Sequence, residues 1–143
     1  MRKRTQAREF ALIILYQKDV TRFEIQQVAD NFWLDQKEND SEIKEFTGRL
    51  VFGVNQNLDS IDEKISSYAT NWQLKRMAII DRNILRLGLY ELLYADDIPP
   101  KVTINEAVEL AKKFGDVESS KFVNGILDKI HKTELVVKKK ISS

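Results

Sequence analysis

The sequence from Asp81 to Leu93 reads DRNILRLGLYELL, and its leucine and isoleucine side chains recur on almost every side of a helix. The apolar residues between Leu74 and Ile80 extend it into the longest periodic run of the chain. A helix that is apolar around most of its circumference is usually enclosed by other helices. Pro99-Pro100 follows the run, and proline ends a helix because it lacks an amide donor. The stretch therefore predicts a central helix.

The bulk composition indicates one globular, helical domain. The chain has 143 residues, of which 43% are hydrophobic, with only five glycines and two prolines. These values argue against disorder and against a turn-rich β fold, and the length suits a single hydrophobic core. No strand alternation or internal repeat is present, so we expect six to eight helices in one α-domain.

Cysteine usage and hydropathy indicate the cellular compartment of the protein. The chain has no cysteine, which excludes disulfides and thiolate metal sites, and no run approaches the roughly 18 apolar residues of a membrane span. The basic N-terminus lacks the apolar core of a signal peptide. We expect a cytoplasmic protein with no membrane partner.

Charge is distributed unevenly along the chain, although the net charge is only +1. Residues 2–8 and 129–140 are basic, whereas residues 30–63 are acidic. Such a distribution suits a polyanion at one surface and a basic protein at another.

Capping patterns divide the remaining sequence into helices. Asp40-Ser41 is predicted to cap a third helix, and Gly115 to close a later helix in a left-handed conformation. The last helix is expected to begin between Asp116 and Ser119. Ser/Thr-x-x-Glu boxes that predict helix starts are Thr21/Glu24, Ser60/Glu63 and Thr103/Glu106. The predicted inner faces include Ile25, Val28, Ala29 and Phe32, then Ile43, Phe46, Leu50, Val51 and Val54, then Phe122, Val123, Ile126, Leu127 and Ile130.

Signatures of catalysis and metal binding are missing from the sequence. The only histidine, His131, lies near the C-terminus without a spaced partner, which indicates a surface role. Gly48 and Gly53 have P-loop spacing, but Val54 and Asn55 replace the residues that contact phosphate and magnesium. We therefore expect a protein that is not an enzyme and holds no cofactor or metal.

The N-terminal basic cluster, Arg2, Lys3, Arg4 and Arg8, is the strongest functional feature that the residues show by themselves. Arg4 and Arg8 stand about one helical turn apart and project from the same side, so the cluster could clamp phosphates. The alternative is an ordinary solvated helix start, and the residues alone weigh the two equally.

Aromatic residues near basic residues suggest base stacking. Tyr16 follows the basic cluster, and Lys121-Phe122 pairs a cation with a ring at the start of the last helix. Glu118 precedes this pair and is expected to cap the helix. Burial in the core is the commoner use of a tyrosine such as Tyr16.

Charged residues within the central helix are expected to serve structure. They are Asp81, Arg82, Arg86 and Glu91. Among so many leucines, ion pairs that fix helix packing are a commoner role than function.

Several segments together resemble the NusB family of bacterial transcription antitermination factors. They are Arg2-Lys3-Arg4, Ala7-Arg8-Glu9, the run from Asp81 to Leu93, the run from Thr103 to Gly115, and KFVNGILDK at residues 121–129. The resemblance implies a compact all-α fold of about seven helices in two packed helical subdomains. It also implies a factor that binds single-stranded boxA RNA together with NusE, a small-subunit ribosomal protein. With other Nus factors and RNA polymerase, such a factor supports read-through of termination signals, notably in ribosomal RNA operons.

The family's functional positions can be transferred to this sequence. By resemblance, the RNA-facing residues are Arg2, Lys3, Arg4, Arg8, Tyr16, Glu118, Lys121 and Phe122, and the NusE-facing residues are Arg76 and Asp81. Lys75 departs from the family, where many members have an acidic residue, and Thr5-Gln6 stands where some continue with arginine.

The expected organisation is a NusB-like domain over residues 1–132 and a basic, flexible tail over residues 133–143. Two other functions remain open. One is a helical protein-protein adaptor that does not bind RNA. The other is the NusB-like module of a ribosomal RNA methyltransferase, although the chain ends at Ser143 with no room for a catalytic domain and no Gly-rich nucleotide loop.

Overall fold

The computed structural model describes residues 2–70 and 72–135, and within these ranges the chain forms seven α-helices and no strand. The helices are α1 (Lys3–Thr21), α2 (Ile25–Gln36), α3 (Ser41–Gln56), α4 (Leu58–Tyr68), α5 (Ile79–Tyr94), α6 (Pro100–Phe114) and α7 (Ser119–Ile130). A 3₁₀ helix, Leu74–Arg76, precedes α5, and a π-helical segment, His131–Leu135, follows α7. The prediction of an all-α fold with about seven helices is confirmed.

The chain divides into two compact units, which are residues 1–57 with α1 to α3 and residues 58–143 with α4 to α7. In the part of the chain that the structure describes, no helix is long and apolar enough to cross a membrane.

The first unit is built around the contact between α1 and α3. Ala7 and Ala11 of α1 are fully buried, and the Thr47 hydroxyl of α3 donates to the Ala7 carbonyl at 3.4 Å. Helix α2 packs on α1 through an aromatic cluster, in which the Phe10 ring lies 5.3 Å from Phe32 and 5.7 Å from Trp33, both edge to face. This arrangement is favourable because the positive edge of one ring meets the negative face of another.

The second unit is built around α5, as the sequence predicted. Every residue from Asn83 to Leu92 is buried, and α5 contacts α4, α6 and α7. At Gly88 the backbone of α5 lies against Leu127 of α7, and a Cβ there would lie 2.7 Å from Leu127 Cδ1. The absence of a side chain at Gly88 therefore sets how closely α7 approaches.

Two charged residues of α5 are buried with polar partners. The Arg86 guanidinium donates from Nε to Asp62 Oδ1 at 2.8 Å and from Nη2 to Asp62 Oδ2 at 2.9 Å, and Nη1 donates to Asn83 Oδ1 at 3.1 Å. Glu91, which is 2% exposed, accepts a hydrogen bond from the Thr103 hydroxyl at 3.0 Å. The predicted structural role of Arg86 and Glu91 is confirmed, since these contacts join α5 to α4 and α6.

The capping predictions succeeded at one helix. Asp40 caps α3 by accepting from the backbone N–H groups of Glu42 and Ile43. The three Ser/Thr-x-x-Glu predictions are wrong, because none of the three hydroxyl residues stands at the start of a helix. Thr21 ends α1 and donates to the carbonyl of Gln17, Ser60 lies inside α4, and Thr103 lies inside α6 and donates to Glu91.

Two helix ends also differ from prediction. Helix α5 begins at Ile79 rather than near Leu74, because Met77 and Ala78 adopt extended conformations and Met77 is buried in the core. Gly115 is not left-handed: its φ is −93°. Glycine fits there because a Cβ would collide with the side chain of Ser119.

The chain after α7 folds back onto α4 as far as the structure describes it. Glu134 Oε1 accepts hydrogen bonds from Lys64 Nζ and from the Tyr68 hydroxyl, both at 2.9 Å. The predicted flexible tail begins at residue 133, and its residues 136–143 lie outside the described part. The domain boundary at residue 132 stays a prediction.

Replacing Asp62 with alanine is expected to lower the free energy of unfolding by about 3 kcal/mol, because the buried Arg86 guanidinium would lose its carboxylate. The matched control is Glu109→Ala, which removes an exposed pair with Lys112. That change should stay within about 0.5 kcal/mol. Urea denaturation followed by circular dichroism measures both variants, and equal losses would contradict a structural role for Arg86.

The contact of Glu134 with Lys64 predicts a pH dependence. The Lys64 hydrogen bond holds the pKa of Glu134 below its ordinary value. Since the folded carboxyl binds its proton less readily than the unfolded one, this contact stabilises fully above the ordinary pKa and is lost as the pH falls through the lowered value. An NMR titration of the Glu134 carboxyl should show the low pKa, and Lys64→Met should return it towards the ordinary value. An ordinary pKa in the unmodified chain would show that residues 131–135 do not dock on α4.

Candidate nucleic-acid interface

The N-terminal basic cluster lies at the beginning of α1. The helix starts at Lys3 after Arg2, which is extended, and its first turn contains no acidic residue. Arg2, Lys3 and Arg4 are exposed. Arg8 is only 3% exposed, so the structure brings three of the four predicted cations to the surface and places Arg8 in the interior.

An aromatic ring on α3 organises the arginines of this cluster. The guanidinium carbon of Arg4 lies 4.3 Å from the centroid of the Phe46 ring, and that of Arg8 lies 5.3 Å away. Arg49 approaches the same ring at 5.9 Å. Each cation is attracted to the electron-rich face of the ring. Phe46 therefore gathers three guanidinium groups into one place.

Carboxylates at the start of α3 also contact the cluster. Lys3 Nζ lies 3.1 Å from Asp40 Oδ2 and 3.6 Å from Glu42 Oε2. The hydrogen bond to Asp40 raises the pKa of Lys3. The pKa of Asp40 is lowered, chiefly by the hydrogen bond from the Ile43 amide and next by the hydrogen bond from Lys3. A cleft of about 470 Å³ lies here, lined by Lys3, Arg4, Glu42, Glu45, Phe46 and Arg49. An anion that binds there must compete with these carboxylates.

Tyr16 lies further along the same helix. It is 38% exposed, and at 1.5 Å per residue it stands about 18 Å along the axis from Arg4. The ring is therefore available at the surface, although it is not adjacent to the basic cluster.

The start of α7 presents the second group of predicted residues. Lys121 is exposed and Phe122 is half-buried. Glu118 occupies the N-cap position without a side-chain bond to the helix, which corrects the expectation that it caps α7. Asp116 does so instead, accepting from the N–H groups of Glu118 at 2.9 Å and Ser119 at 3.1 Å.

A cavity of about 570 Å³ lies beside the start of α7. It is lined by Trp72, Arg76, Met77, Ala78, Asp81, Asp116, Glu118, Lys121 and Phe122. The structure thus brings together, around one cavity, the predicted partner-facing residues Arg76 and Asp81 and the predicted RNA-facing residues of α7. Asp81 Oδ1 is buried, and within the described residues it has no hydrogen-bond partner.

Two residues of these sites were not predicted as site residues. Arg49 lies on α3, three residues after Phe46, and it meets the N-terminal arginines because Arg4 and Arg8 of α1 contact the same ring. No sequence pattern marks this contact between α1 and α3. Trp72 lies just before the longest periodic run and was not assigned a functional role from sequence. Its position between polar neighbours, outside the apolar face of α5, could have indicated an exposed ring.

Solved structures provide the first comparison. The chain superimposes on NusB of T. maritima with a TM-score of 0.84 and 41% identity, covering 93% of this chain and 92% of that one. It superimposes with a TM-score of 0.85 and 29% identity on a chain from a crystal structure of antitermination factors NusB and NusE in complex with double-stranded RNA, covering 92% of this chain and 98% of that one.

Curated relatives provide the second comparison. The transcription antitermination protein NusB of Thermodesulfovibrio yellowstonii is 45% identical over 142 residues, covering 93% of this chain and 94% of the relative. That of Bacillus subtilis is 47% identical over 128 residues, covering 90% and 94%. A relative from Chloroherpeton thalassium is 46% identical over 125 residues, and the chain spans 59% of its length.

The sequence profile of the NusB family matches residues 5–132. This range includes Arg8, Tyr16, the cavity residues and all of α7. With the relatives and structures above, the match shows that the chain belongs to the NusB family.

Proposed function

We propose that this chain is a transcription antitermination factor that binds boxA RNA together with NusE. The observation that carries the proposal is its similarity, over almost its whole described length, to the NusB protein solved with NusE and RNA. The larger assembly would include other Nus factors and RNA polymerase, and it would support read-through of termination signals, notably in ribosomal RNA operons. The factor works in the cytoplasm, and its role is binding rather than catalysis.

The phosphate contacts of the proposed RNA site come from the start of α1. Arg2, Lys3 and Arg4 are exposed cations in a helical turn without carboxylates of its own. Arginine and lysine in such a position neutralise phosphates and contribute affinity with little sequence information. Arg8 would support Arg4 from behind, since both guanidinium groups lie on Phe46.

The base contacts of the proposed site come from aromatic rings. Tyr16 and Phe122 both have exposed ring surface, on which unpaired bases can stack. Lys121 is next to Phe122 and can neutralise the adjacent phosphate, while Glu118 disfavours a phosphate on its own side and so helps to orient the strand. The proposed RNA-binding residues are thus phosphate contacts at α1 and stacking contacts at Tyr16 and α7.

The proposed NusE contact lies at the beginning of α5. Arg76 is exposed just before the helix, and Asp81 lies in its first turn. A buried polar atom without a hydrogen-bond partner is unfavourable by about 1 to 3 kcal/mol, and by more when it carries charge. Because Asp81 Oδ1 has no donor within the described residues, it supports a partner that donates a hydrogen bond to this oxygen once the Asp81 side chain has rotated slightly.

Fluorescence anisotropy with a labelled boxA RNA tests the proposed function. Binding should be tighter with purified NusE than without it, and tighter for boxA than for a scrambled strand. Binding to NusE with no RNA preference would leave a protein adaptor. Binding to neither would overturn the proposal.

A salt series tests the phosphate contacts. In the Arg2→Ala, Arg4→Ala double variant, the slope of log K against log salt should fall by about 1.4, since each phosphate contact to a single strand contributes about 0.7. The charge-matched control is Lys101→Ala with Lys112→Ala, two exposed lysines of α6. That variant should keep the original slope, and an equal fall in both variants would show only a general charge effect.

A further inference from the structure

Trp72 is a large aromatic side chain that the fold leaves exposed. It is 55% exposed, in the loop before the 3₁₀ helix, and it lines the cavity beside α7. The other tryptophan, Trp33, packs edge to face on Phe10 and Phe32. The core of the second unit therefore uses only part of the Trp72 surface.

The Trp72 ring is paired with Phe122. The two ring centroids are 6.2 Å apart and the planes are inclined by 72°, so the contact is edge to face. An edge-to-face pair joins the face of one ring to the edge of the other, so it leaves stacking surface on the pair uncovered. The cavity beside the pair, about 570 Å³, falls in the range of roughly 300 to 1,000 Å³ typical of small-ligand sites.

The charges around the cavity favour a neutral ring over a phosphate. Its walls include three carboxylates, those of Asp81, Asp116 and Glu118, against two cations, those of Arg76 and Lys121. A phosphate inside would meet this excess of negative charge, whereas a nucleobase is neutral, planar and rich in N–H donors. Lys121 is exposed and can reach the strand outside the cavity.

We propose that Trp72 is a second base-stacking residue, so that one unpaired base of the bound RNA enters this cavity and stacks on the indole beside Phe122. The inference rests on the proposed RNA-binding function. Three of the residues that line the cavity, Glu118, Lys121 and Phe122, are proposed to face RNA. We therefore assign the cavity to a base of the bound RNA rather than to another flat molecule.

Tryptophan fluorescence tests this stacking directly. In a Trp33→Phe variant, Trp72 is the sole tryptophan of the chain, and adding boxA RNA to its complex with NusE should quench its emission. A variant with both tryptophans changed to Phe supplies the blank for signals from the partner. Anisotropy of labelled RNA is recorded on the same samples, so that binding is measured independently of the indole.

Affinity measurements on two variants distinguish stacking by the Trp72 ring from a contribution of its apolar volume alone. Trp72→Leu keeps an apolar side chain but removes the ring, and it should weaken boxA binding about tenfold, within the range found for loss of one stacked base. Trp72→Phe keeps a ring and should restore most of that affinity. Because Trp72 is more than half exposed, both variants should fold, and circular dichroism checks this.

Each outcome decides the inference. Quenching by RNA, together with the loss in Trp72→Leu, would support it. A Trp72 signal that changes on addition of NusE alone and not with RNA would overturn it, because the ring would then be a protein contact. RNA binding by anisotropy with an unchanged Trp72 signal would overturn the inference and leave the proposed function intact. No RNA binding in any sample would overturn both.

Discussion

The second unit depends on the burial of α5 on all sides. Because every residue from Asn83 to Leu92 is buried, the charges of Arg86 and Glu91 must find partners inside the protein. Asp62 of α4 and Thr103 of α6 supply them, and Gly88 admits Leu127 of α7. One specific contact thus fixes each neighbouring helix against α5.

The packing around α5 also determines where the functional side chains of α7 lie on the surface. Helix α7 is held through Leu127, so its start, with Lys121 and Phe122, has a defined position relative to the beginning of α5. The cavity beside Trp72 forms between those two elements. A fixed position of these rings favours RNA recognition, because ordering a mobile side chain during binding would cost part of the free energy that stacking provides. In the first unit, Phe46 and Asp40 similarly order the basic start of α1, although the carboxylates reduce what Lys3 offers to a phosphate.

The helical architecture could be predicted from sequence because it follows from local patterns. Spacing of apolar residues identified α5 as central, and the Asp40 cap was read correctly. The hydroxyl of Thr103 could not be assigned from its neighbours, because its partner Glu91 lies on another helix. The meeting of Arg8 with Arg49 at the Phe46 ring likewise could not be assigned, because only the fold brings α1 near Phe46. The family resemblance supplied the RNA-facing positions, but the pairing of Trp72 with Phe122 required the structure.

Amide chemical shifts in a ¹⁵N-labelled sample would show whether the basic start of α1, Tyr16 and the start of α7 all contact the bound RNA. On addition of boxA RNA and unlabelled NusE, we expect shifts at residues 2–4, near Tyr16 and at residues 121–122, with the interior of α5 unchanged. A scrambled strand should shift residues 2–4 much more than residues 121–122, because phosphate contacts are insensitive to sequence. Shifts confined to the start of α5, with none at residues 2–4 or 121–122, would mean that these two segments do not bind the RNA.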